Sequence, residues 1–142
     1  MKRIIKTTGL LLLIAFIASA QDVTHKDIKF KRKKGFVIVN DQNVFTLKKS
    51  GMYYYLHDLT SDEELIYIYF NNNETIEYIE DDYIKVYFTN TKQSFETKSH
   101  YKIIMARLIN ENVITADWKI DDTKTSEFAL KYDAEISGRT IR

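Results

Sequence analysis

Residues 52–70, from Met52 to Phe70, read MYYYLHDLTSDEELIYIYF, and this stretch decides the fold. Two aromatic-rich segments flank a polar loop that holds neither Gly nor Pro. In the second segment Leu65, Tyr67 and Tyr69 alternate with Ile66, Ile68 and Phe70. β-Branched and aromatic side chains lose rotamer freedom in a helix but fit a pleated surface, so both segments read as strands. Residues 52–57 and 64–70 thus form a central antiparallel pair joined by the loop 59–63. Both alternating sets are apolar or aromatic, which predicts a strand covered on both faces.

Working outward, residues 27–32 set Ile28 and Phe30 against Lys29 and Lys31, the mark of a half-buried strand. A turn at Lys33, Lys34 and Gly35 leads to strands over 36–39 and 44–48, joined by the four-residue hairpin loop NDQN (40–43). Beyond Phe70, three asparagines turn the chain. Strands follow over 75–79 (Ile76 and Tyr78 against Glu77), 83–88, and more weakly 92–97 around Phe95. Seven or eight short strands at this spacing form an antiparallel meander, not βαβ units.

The period then changes. Tyr101, Ile104, Met105, Leu108 and Ile109 share one helical stripe, with Ser99 placed to cap its start and 110–112 to end it. Residues 113–120 are irregular and carry the lone Trp118. Asp121 or Asp122 is placed to cap a second helix through Tyr132, with Thr125, Phe128 and Ala129 on one side. Residues 134–142 read as frayed. The class is α+β: a seven- or eight-stranded antiparallel meander with two C-terminal helices packed on it. A β-sandwich with helical decoration is the alternative.

Residues 1–20 have the three parts of a cleavable secretory signal: Lys2, Arg3 and Lys6, a short apolar run, and Ala18-Ser19-Ala20. The apolar run is shorter than the roughly 20 residues that span a bilayer, so no transmembrane span is expected after cleavage. Residues 21–142 then form a single domain. Without those three cations, 21 Lys+Arg fall to 18 against 20 Asp+Glu, a net of about −2, unlike a nucleic-acid-binding polycation. There is no Cys, so a packed core must carry the stability.

Catalytic patterns are sparse. His25, His57 and His100 lie far apart without a paired spacing, so no metal site or cofactor is called for. Four glycines, at 9, 35, 51 and 138, leave no nucleophile elbow and no phosphate-cradling loop. The acidic groups at Glu74, Glu77, Glu80, Asp81 and Asp82, and at Asp62, Glu63 and Glu64, lack calcium-loop spacing and read as solvated turns. Glu77 with Asp82, or Ser94 or Ser99 with a histidine, are the only enzyme-like pairings, and nothing selects them.

Two surfaces stand out. Lys29, Lys31, Arg32, Lys33 and Lys34 form a basic run, read as an edge strand guarded by lysines or as a patch for an anionic partner. Tyr53, Tyr55, Tyr67, Tyr69, Tyr83 and Tyr87, with Tyr78, fall on neighbouring strands, read as core margin or as a face that docks a protein or a glycan. Together ASA before Gln21, FVIVNDQNVFTL, HDLTSDEELIYIYF, YKIIMARLINENVI and FALKY resemble small uncharacterised exported proteins of Bacteroidetes, of the flavobacterial kind. The resemblance implies an envelope or secreted location and carries no activity or site residues. The expectation is a non-enzymatic extracytoplasmic binding module for an envelope protein or glycan. An immunity or inhibitor protein is the first alternative and a small hydrolase the second.

Overall fold

The aromatic and β-branched alternation does build strands. The computed structural model describes residues 22–72 and 82–139. The expected signal segment, the strand expected over 75–79 and Tyr78 lie outside the described residues. Seven strands pair antiparallel in sequence order: β1 (Ile28–Lys31), β2 (Phe36–Val39), β3 (Gln42–Ser50), β4 (Tyr53–Asp58), β5 (Glu64–Asn71), β6 (Tyr83–Phe88) and β7 (Gln93–Thr97). Two helices follow, α1 (Tyr101–Asn110) and α2 (Thr125–Tyr132). This is the α+β meander with two C-terminal helices, and not the sandwich.

Strand parity sorts the side chains. Val37, Phe45, Tyr54, Leu56, Ile66, Ile68, Val86, Phe88 and Phe95 point to one face and are buried. Ile104, Met105 and Leu108 of α1 and Phe128 of α2 complete that core. Ring contacts tie the layers together: Tyr101 meets Phe30 at 4.7 Å and Phe70 at 5.5 Å, while Phe128 meets Phe95 at 5.5 Å. The helical stripe read from the sequence is therefore the buried one.

Several local expectations are corrected. The β2–β3 turn uses two residues, not four. Asn40 (φ 49°) and Asp41 (φ 65°) both take left-handed backbone, the geometry that matches strand twist in a two-residue hairpin. His100, not Ser99, caps α1, because its Nδ1 accepts from the Lys102 N–H at 3.2 Å. Asp121 caps the turn at Thr123, and α2 starts after Lys124 with no side-chain cap. The tail is not frayed through Ser137. Ala134 N–H donates to the Glu96 carbonyl at 2.8 Å, and Ser137 donates to the Glu96 carboxylate, so the segment runs along the β7 edge.

The glycine-free loop after β4 is organised by Asp58. One carboxylate oxygen accepts from Thr60 N–H, the Thr60 hydroxyl and Ser61 N–H, and the other accepts from Lys119. The Lys119 ammonium and these local donors hold its carboxyl far below the usual range.

If α1 seats its stripe on the sheet, Leu108→Ala costs about 2–5 kcal/mol, the range for an emptied core site. Leu130→Ala, at a side chain 80% exposed, stays within about 0.5 kcal/mol. Urea denaturation measures both, and equal losses would contradict this packing.

Candidate functional site

The face of the sheet turned away from the helices carries the tyrosines. Because β4 pairs Tyr53 with Tyr69 and Tyr55 with Tyr67, and β5 pairs Tyr67 with Tyr87, three strands bring five rings side by side. Tyr67 and Tyr87 stack at 4.7 Å with planes 18° apart. Tyr53 lies 4.9 Å from Tyr69 and 5.8 Å from both Tyr55 and Tyr67. Coplanar rings cannot approach that closely, so the stacked pairs cover part of one another's faces and present edges and hydroxyls outward. Tyr53 is 36% exposed and the other four are half-buried. Partial burial, then the neighbouring Tyr87 and Tyr53 hydroxyls, raise the Tyr67 pKa.

The predicted coverage of both faces of β5 is thus corrected. Among the described residues, the helices cover one face and the tyrosines on the other shield one another. Tyr83 is also corrected as a surface candidate. It shares the face but is buried, and Asn71 donates to its hydroxyl at 2.8 Å, so it belongs to the margin. Lys85 and Lys48 flank the cluster through pairings with Tyr69 and Tyr55.

The basic run divides. Lys29 faces Asp41 at 4.0 Å, whereas Lys31, Arg32, Lys33 and Lys34 line a groove of about 620 Å³ together with Phe30 and Lys49. Lys49 was not foreseen, since it joins only through the β3 extension past β2. Sequence distance hid it.

The histidines do not converge. His57 on the tyrosine face donates from Nδ1 to the Asp62 carbonyl at 2.8 Å, beside the β4–β5 loop. His100 lies at the other end of the sheet, stacked on Tyr101 at 4.3 Å. Among the described residues no set of three or more His, Cys, Asp or Glu is grouped to hold a metal. None of the described helices is long and apolar enough to cross a membrane. No protein family, curated protein or solved structure matches this chain in comparison.

Desolvation, then Lys102 and His25, lower the His100 pKa, and protonating Nδ1 would also remove the α1 cap. A base with a depressed folded pKa takes up protons more readily unfolded. Its stabilising share is therefore present above the unfolded value near 6.5 and lost as pH falls below it. His100→Asn keeps a capping oxygen without titrating, so its stability should fall less than that of the parent chain between about pH 7 and 5. Equal pH slopes in urea titrations would contradict this role.

Proposed function

We propose that this chain is a non-enzymatic, extracytoplasmic interaction module that docks an envelope protein through its tyrosine face. Export rests on the signal-like residues 1–20. The carrying observation is the five-ring cluster of Tyr53, Tyr55, Tyr67, Tyr69 and Tyr87 on the face the helices leave open. A pyranose stacks on a free ring face. Here the Tyr67 and Tyr87 faces are spent on each other, and what remains is apolar edge bordered by hydroxyls. That surface suits a protein, where tyrosine supplies rigid contact area with a hydrogen-bonding tip. At about 4.8 Å between strands and about 6.8 Å between successive residues on one face, the cluster covers on the order of 200 Å². A standard interface takes about 800 Å² per partner, so the cluster would be its centre and the Lys48, Lys85 and His57 flanks its rim.

A photo-crosslinking residue in place of Tyr55 should give, in the native envelope, one discrete protein adduct that is lost when Tyr53→Ala and Tyr69→Ala are added. The same residue in place of Leu130 on α2 should give none. Adducts independent of these tyrosines, or tyrosine-dependent binding on a glycan array with no protein adduct, would overturn the reading.

A further inference from the structure

The groove beside the β1–β2 turn has a structural origin. β1 and β2 stop at the pair Lys31 and Phe36, while β3 and β4 run on to Ser50 and Tyr53, leaving a step in the sheet. Gly35, at φ 78°, folds the turn back so that Leu47 N–H donates to its carbonyl at 2.9 Å. The notch exposes Lys31, Arg32, Lys33, Lys34 and Lys49, with Phe30 at its inner wall. Among the described residues none of these five cations makes an ion pair, whereas Lys29, Lys48, Lys119, Lys124 and Lys131 each have a carboxylate. The opposite end of the strands bears Asp41, Asp58, Asp62 and Asp121, which Lys29, Lys119, Lys48 and Lys124 already pair.

Guarding an edge strand accounts for Lys29 and Lys31, but not for Lys33, Lys34 and Lys49, which lie outside β1. Five cations with no counter-ion among the described residues repel one another in one concavity, a cost that a bound polyanion removes. We infer that the groove is a binding site for an acidic polysaccharide chain, one carrying repeated carboxylate or sulfate groups. Lysine ammoniums on free stems act as point charges that follow charge spacing along a chain, whereas shape-specific bidentate recognition would call for more arginine forks. A bilayer is flat and meets a notch poorly. Single-stranded nucleic acid would need an open ring for its bases, and Phe30 is already engaged with Tyr54 at 5.7 Å and Tyr101 at 4.7 Å.

Calorimetric titration of the purified protein at about 20 mM salt, where screening is weak, tests this with alginate, dextran sulfate, neutral dextran, poly-glutamate and vesicles containing phosphatidylglycerol. Alginate and dextran sulfate should bind, with affinity falling at least ~10-fold by about 150 mM salt. Neutral dextran should not bind. The triple variant Arg32→Glu, Lys33→Glu, Lys34→Glu should weaken binding at least ~10-fold, and Lys33→Glu alone serves if the triple variant misfolds. Lys92→Glu, on the β6–β7 turn at the other end, and Tyr53→Ala should change nothing, so failure here leaves the tyrosine face separately testable. No polysaccharide binding, binding indifferent to the charge reversals, or binding to vesicles or poly-glutamate as tight as to alginate would each overturn it.

Discussion

Strands β4 to β6 carry large apolar or aromatic side chains on both faces, but two helices of 10 and 8 residues are enough to cover only one. This imbalance shapes the rest of the structure. The face with Tyr54, Leu56, Ile66, Ile68 and Phe88 is largely apolar, with the Asp58 carboxylate at one end held by Lys119, so it takes the helices. The other face is built from tyrosines, whose rings shield each other while their hydroxyls stay wet. Such ring pairs are worth about 0.5–1.5 kcal/mol each beyond the area they bury, which helps to order the face.

The helix-covered side is closed at both ends by different means. Near the β1–β2 turn, Phe30, Tyr54, Phe70 and Tyr101 form one edge-to-face aromatic cluster under the start of α1. At the far end, Trp118 lies against Phe45, and the adjoining irregular segment is tied by Lys119 to Asp58. Extra residues at Val44 and Leu65 shift the register between β2 and β3 and between β4 and β5, which adds twist there and turns both side chains inward. Among the described residues Asp41, Asp58, Asp62, Asp121 and Asp122 gather at this second end, and Lys31, Arg32, Lys33, Lys34 and Lys49 at the first.

How much of this was legible follows from range. The alternation of Tyr53, Tyr54 and Tyr55, and of residues 65–70, is local, and period two alone assigned both strands and the face shared by Tyr67, Tyr69 and Tyr87. The α1 stripe was legible for the same reason. Caps were less so: Ser99 and His100 are adjacent, and only backbone direction decides that the imidazole reaches the Lys102 N–H. Partners far apart in sequence carry no local signal. Asp58 and Lys119, Glu96 and Ser137, and Lys49 beside Lys33 are brought together only by folding. Tyr83 failed as a surface residue because strand parity tells which face a side chain takes, not how deep its neighbours leave it.

The central claim is that parity divides three consecutive tyrosines between a covered and an open face. Nitration by tetranitromethane followed by peptide mapping reads this directly. Tyr53 and Tyr55 should be modified in the native protein while Tyr54, 6% exposed beneath α1, is protected until the chain unfolds. Modification of Tyr54 at the rate of Tyr53, or protection of Tyr53 and Tyr55 instead, would contradict it.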